Sequence, residues 1–187
     1  MPVVLTIGHS NHTLERFLTL LGGAGVEMVV DVRSTPASKR QPQFNKAPLA
    51  TALHAAGLSY LWLGREIGGR PVDPALFTDG VADFERMAEA QSFRAAIARV
   101  LSEAEWLLLA LMCAEKEPLD CHRTLLIGRA LTEQGCEVRH ILADGRVITQ
   151  TAIEDQLLGG DTLFPPRAQR LAEVYRARAR KIAFRNS

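Results

Sequence analysis

The residues best suited to chemistry lie in one run, Cys113-Ala-Glu115-Lys116-Glu-Pro118-Leu-Asp120-Cys121-His122-Arg123. It combines two thiols, an imidazole, carboxylates and a guanidinium. Three chemistries compete for it. A phosphatase loop needs an arginine six positions after its cysteine, and Leu119 and Ile127 stand there instead. A common zinc site needs a Cys-x-x-Cys or His-x-x-x-His pair, and neither is present. A site completed by His9 or His140 stays open, so no metal ligand and no cofactor is assigned. The third chemistry is anion binding. Asp120 is expected to cap a helix over residues 120–132, with Cys121, His122 and Arg123 in its first turn. The unpaired N–H groups and the positive dipole end there favour a bound anion. The same field lowers the pKa of Cys121, helped by Arg123 and opposed by Asp120. The plainer alternatives are a buried packing role for Cys121 and a salt bridge from Arg123 to Glu115 or Asp31. Cys136, after Gly135, reads as packing.

Other polar residues fall at the ends of apolar runs. His9 and Ser10 follow residues 3–7, Asp31 and Arg33 close residues 26–32, Arg65 follows 58–63, and His140 lies within 138–142. Asp31 and Arg33 alternate with Val30 and Val32, so both are expected on one face of a strand. An internal ion pair is the simpler reading of the two. His9 and His140 are candidate acid and base, because imidazole titrates near neutral pH. Glu115 would orient one of them, and Cys121 is a further candidate for the reacting group. Arg33, Arg40, Arg65 and Arg123 offer planar forks for an anion. Ser10, Asp31, Lys116 and His122 join the same candidate set. The loop around Lys39, Arg40, Phe44 and Lys46 mixes cations with an aromatic ring. It would suit an anionic small molecule or, with Phe44 stacking a base, a nucleic acid.

The elements that must position these groups follow from periodicity. Short apolar runs at 3–7, 26–32, 58–63, 106–112 and 138–142, the first of them β-branched, read as buried strands. Between them lie helical patterns: Leu14, Phe17, Leu18 and Leu21, entered at Thr13 and ended by Gly22-Gly23, then Leu49 and Leu53, then Phe93, Ile97, Val100 and Leu101. Residues 35–48 read as a long loop, and 72–90 as weakly patterned with some helix after 81. Helices near 151–158 and from Arg167 end the chain. The terminal helix, carrying Leu171, Val174 and Tyr175, is expected to dock by its apolar face and leave its cations solvated. Strands alternating with helices imply parallel crossovers. We therefore expect one α/β domain over residues 1–187, a doubly wound, mainly parallel sheet of about five strands with helices on both faces. In such a sheet the carboxyl ends of the strands share one edge, where ligands bind. The five polar clusters would then meet around one hollow.

Thr6-Ile7-Gly8-His9-Ser10, Asp31-Val32-Arg33, the loop from Lys39 to Phe44, Leu63-Gly64 with Gly68-Gly69-Arg70-Pro71, Cys113-Ala114-Glu115-Lys116 running to Cys121-His122-Arg123, and His140 together resemble the family catalogued as domain of unknown function 488. The resemblance covers residues 3–150, leaving the helices of 151–187 outside. It implies this α/β fold and presumes site roles for those positions, without an activity.

Composition narrows the class further. Of 187 residues, 47% are apolar and 23% charged, near the globular average, which excludes a disordered, collagen-like or coiled-coil chain. The net charge of +1 names no partner. It hides a +4 segment over 31–70 and a +6 segment over 165–187, balanced by an acidic remainder. The longest apolar run is far short of the roughly 20 residues that span a bilayer, so no membrane contact is expected. Three cysteines without paired spacing fit a reducing cytoplasm better than a disulfide framework. The expected function is an enzyme acting on an anionic, phosphorylated or nucleotide-like substrate. A nucleic-acid-binding module and a Cys/His metal or redox site are its rivals.

Overall fold

The computed structural model describes residues 1–160 and 164–186. Strand β1 (Val3–Gly8) leads to α1 (Leu14–Gly23), whose first turn is capped by the Thr13 hydroxyl accepting from the Arg16 N–H. Next come β2 (Met28–Asp31), α2 (Lys46–Ala55), β3 (Ser59–Trp62) and the single turn α3 (Gly64–Ile67). A small hairpin of β4 (Phe77–Thr78) and β5 (Val81–Ala82) precedes α4 (Phe84–Glu89) and α5 (Gln91–Glu103). The central strand β6 (Leu109–Cys113) enters the loop of residues 114–122, which ends in a π-helical segment (Arg123–Gly128) continued by α6 (Arg129–Glu133). The hairpin of β7 (Glu137–Ile141) and β8 (Val147–Thr149), then α7 (Gln150–Leu158) and α8 (Arg167–Ile182), complete the fold.

The sheet has six strands in the order β3-β2-β6-β1-β7-β8, parallel except for β8 at the edge. Helices cover both faces, as the apolar alternation requires. Leu5, Ile7, Val29, Ala110, Met112 and Ile141 face Phe17, Leu20 and Leu21 of α1 and Leu49 and Leu53 of α2. Val4, Val30, Leu109, Leu111 and Val138 face α4, α5, the π-helical segment and α8. Tyr175 of α8 is buried and Arg176, Arg180 and Lys181 are exposed, so the helix docks by its apolar face. Arg167, Arg170 and Arg178, however, are half-buried rather than fully solvated. Among the described residues, no helix is long and apolar enough to cross a membrane.

Three expectations need correction. The sheet holds six strands, because β8 pairs antiparallel with β7 after the Asp144-Gly145 turn. The strand expected at 106–112 starts later: Trp106 and Leu107 donate backwards to the Glu103 carbonyl and still close α5, leaving Trp106 82% exposed. The helix expected from Asp120 begins only at His122, whose preceding carbonyl, that of Cys121, accepts its first bonds. Cys121 is extended, at φ −138° and ψ 140°, and the Asp120 carboxylate is taken by Arg178 of α8, so Asp120 caps nothing there.

Candidate functional site

Strands β2, β6 and β1 lie side by side, so the loops that leave their carboxyl ends arrive at one edge. The register pairs Ile7 and Asp31 with Met112, and Gly8 with Cys113. Beyond it the ladder continues as His9 N–H to the Cys113 carbonyl at 2.8 Å and Ser10 N–H to the Ala114 carbonyl at 3.0 Å. The loop after β6 thereby folds back over β1. Gly8 makes this possible: a Cβ there would stand 1.9 Å from the Glu115 carbonyl oxygen. Arg123, fully buried, holds the same loop from inside, donating to the carbonyls of Glu115 and Lys116.

One wall of the site is an ion-paired tier. Arg33 donates Nε to Asp31 Oδ1 at 2.9 Å and a terminal nitrogen to Oδ2 at 2.6 Å, a bidentate buried pair. It also donates to the Phe44 carbonyl at 2.7 Å and meets His9 Nε2 at 3.2 Å. Tyr60 adds a hydrogen bond to Asp31 at 2.9 Å. An arginine can only donate, so His9 Nε2 accepts, and Nδ1–H donates to the Ser10 carbonyl at 2.9 Å. Burial first, and the Arg33 charge second, lower the His9 pKa to about 4, so the ring is neutral at pH 7. It stacks on Phe44 with centroids 4.4 Å apart.

Beside this wall the two thiols meet. Glu115 Oε2 accepts from Cys113 Sγ at 2.7 Å and from Cys121 Sγ at 3.1 Å, and His122 Nδ1 lies 3.7 and 3.8 Å from the same sulfurs. His122 Nε2 donates to the Val32 carbonyl at 3.0 Å, which fixes the ring so that Nδ1 faces the sulfurs. The backbone N–H of Arg123 points at Cys121 Sγ, 3.4 Å away. Cys113, Glu115, Cys121 and His122 thus bring four metal-ligating atoms within 4.8 Å of one another. The two thiols differ in acidity. Burial and the neighbouring sulfur push Cys113 up. Cys121 falls to about 6 although burial opposes it, because the Cys113 hydrogen bond and the charges of Arg123 and His122 together outweigh burial. His122 is raised against its own burial by Cys121 and Glu115.

These groups open on a cavity of about 410 Å³ at the carboxyl edge of the sheet, also lined by Ser34, Thr35, Arg70 and Asp120. Of the residues singled out in the sequence, His9, Arg33, Cys113, Glu115, Asp120, Cys121 and His122 meet there. The others do not line it. Ser10 turns toward Asn11 at a positive φ of 47°, Asp31 sits behind Arg33, and Arg40, Arg65 and Lys116 are exposed elsewhere. Phe44 is fully buried against His9 and Phe17, so its ring has no face to offer a nucleobase. His140 is fully buried between Thr6 Oγ1 and Gln150 Oε1, each 2.8 Å away. Arg70, quoted in the sequence only as part of the family-like stretch and given no role of its own, also lines the cavity. It belongs to the same glycine-rich loop as Arg65, and the Gly68-Gly69-Arg70-Pro71 turn was the available signal.

A family model, "Domain of unknown function DUF488", matches residues 13–130, more than half of the chain. The chain belongs to the DUF488 family. The match takes in Asp31, Arg33 and the whole loop after β6 through Arg123, while His9 and His140 lie outside it. This DUF488 chain also aligns with two crystal structures described as "Putative phosphatase (DUF442)" from Shewanella putrefaciens CN-32. One is 16% identical, with 98% of this chain and 91% of that one covered and a TM-score of 0.42. The other is 17% identical, with coverages of 93% and 85% and a TM-score of 0.40. Superpositions this loose add nothing to the reading of the site. No curated protein matches the chain.

Proposed function

We propose that this DUF488 protein is an enzyme acting on a small anionic substrate, phosphorylated or nucleotide-like, in the cavity at the carboxyl edge of its sheet. The observation that carries the reading is the convergence there of Arg33 and Arg70 with an acidic thiol, an imidazole and the Glu115 carboxylate. The cavity is of small-ligand size. Arg33 spends four of its five N–H donors on protein partners and keeps one on the cavity side. Arg70 is exposed at the rim. The anion would lie between the two guanidinium groups, with its reacting bond over Cys121 and Glu115. His9 lends its neutral ring to Arg33 and aims that guanidinium.

The test is a calorimetric titration with inorganic phosphate and with a nucleoside monophosphate. One saturable site is expected, weakened about tenfold in Arg70→Ala, the loss of one charge-assisted contact, with an unchanged melting temperature. Release of phosphate from a bound ester should stop in Cys121→Ala. Absence of saturable binding, or equal affinity in Arg70→Ala, would sink the reading.

A further inference from the structure

The common zinc spacings are missing from the sequence, yet the fold assembles a ligand set that spacing alone could not reveal. We propose that Cys113, Cys121, His122 and Glu115 form a four-coordinate transition-metal site of the zinc class, in which Glu115 is the exchangeable ligand. The inference goes beyond anion binding and does not depend on it.

Geometry supports the assignment. Bonds of about 2.3 Å to sulfur and 2.0–2.1 Å to nitrogen put the sulfur–nitrogen edge of a tetrahedral site near 3.5 Å. The two observed edges are 3.7 and 3.8 Å. The carboxylate sits closer, at 2.7 and 3.1 Å from the sulfurs, and needs to withdraw by less than about 1 Å. It has room, since Glu115 is the one exposed member and lies on the cavity side.

The surroundings are those of a supported ligand set. The Val32 carbonyl takes the far nitrogen of His122, which fixes the tautomer and aims Nδ1 inward. Gly69 keeps the ring's place clear, because a Cβ there would come within 2.9–3.2 Å of its atoms. The Arg123 N–H aimed at Cys121 Sγ is a donor suited to a metal-bound thiolate. Two sulfurs with an imidazole exclude magnesium and calcium, which take oxygen ligands, and suit zinc. Three buried ligands with an exchangeable fourth position are the pattern of catalytic zinc rather than of a closed structural site.

The experiment uses the reduced, chelator-treated full chain, titrated with cobalt(II) and then zinc(II). One equivalent of cobalt should give thiolate-to-metal charge transfer and the strong visible bands of a tetrahedral centre, and zinc should displace it. Cys121→Ser should lose about half of the charge-transfer intensity and at least a hundredfold in affinity. Glu115→Gln should keep that band and bind roughly 10–100-fold more weakly. Cys136→Ser and Arg70→Ala should match the wild type, so loss of anion binding in Arg70→Ala leaves this proposal standing. No stoichiometric metal in the wild type, wild-type affinity in Glu115→Gln, or thiols that oxidise to a disulfide and take no metal would each overturn it. The wild-type and Glu115→Gln titrations decide the matter even if Cys121→Ser does not fold.

Discussion

Two buried histidines separate the two kinds of polar cluster in this molecule. His140 has both ring nitrogens taken: Nε2–H donates to Gln150 Oε1, and Nδ1 accepts from Thr6. The chain closes further out, where Gln150 Nε2 donates to the Tyr175 hydroxyl at 2.5 Å and that hydroxyl donates to Glu154 at 2.9 Å. His122 has one nitrogen anchored on Val32 and the other turned toward two sulfurs beside a cavity. A closed network ties elements together, here β1, β7, α7 and α8. An open one leaves ligating atoms for something else. The Asp31–Arg33–His9 tier is nearly closed, with a single Arg33 N–H left over for the cavity it walls. Breaking a closed cluster should therefore cost stability, whereas altering the open one should cost binding.

The largest effect is expected at Asp31. Asp31→Ala leaves the Arg33 guanidinium, 5% exposed, without its counter-charge. Removing one partner of a buried pair costs about 3–5 kcal/mol. Urea unfolding at neutral pH measures it. A loss below about 1 kcal/mol would mean that the tier is not a supporting wall, and the distinction between closed and open clusters would blur.

The contrast also explains what could be read from the sequence. The strand-end positions of His9, Arg33 and Cys113 follow from short apolar runs, and the shared face of Asp31 and Arg33 follows from a period of two. Helix α1 was legible from Thr13 to Gly23 because its cap and stripe are local. The partners were not legible. Thr6 and His140 are 134 residues apart and meet only because β1 and β7 pair. Cys113 and Cys121 meet because a loop recrosses β1 above Gly8, which no spacing rule encodes. The β4–β5 hairpin carried a local signal that went unused. Asp79-Gly80 turns it with φ of 51° and 72°, the left-handed pair that such a tight turn requires.

A middle-sized effect tests the closed His140 network by pH. Burial holds His140 at about 4, below its unfolded value of 6.5, with the Arg123 charge adding to the fall and Gln150 opposing it. As pH drops below 6.5 the unfolded chain takes up the proton first, so stability declines until the folded ring also titrates near 4. The interval corresponds to about 3 kcal/mol, fully present at pH 7 and above and lost toward pH 4. His9, lowered for similar reasons, adds in the same direction. His140→Gln should therefore be less stable at pH 7, with a dependence on pH flatter by close to one proton between about pH 6 and 4.5. Equal slopes in wild type and variant would show that His140 is not held neutral, and its network would no longer count as closed.

The smallest stability change is expected where the binding change is large. Glu115 is exposed, and its carboxylate accepts from the two thiols, so Glu115→Gln keeps the size of the side chain and its place as an acceptor. Its unfolding free energy should stay within about 0.5 kcal/mol of the wild type, as for a surface substitution. Denaturant curves superimposing within error, alongside weakened cobalt binding, would place Glu115 in an open cluster. A loss comparable to that of Asp31→Ala would instead make the carboxylate a structural acceptor for the thiols. The loop after β6 would then be braced on both sides, by Arg123 from within and by Glu115 from the cavity.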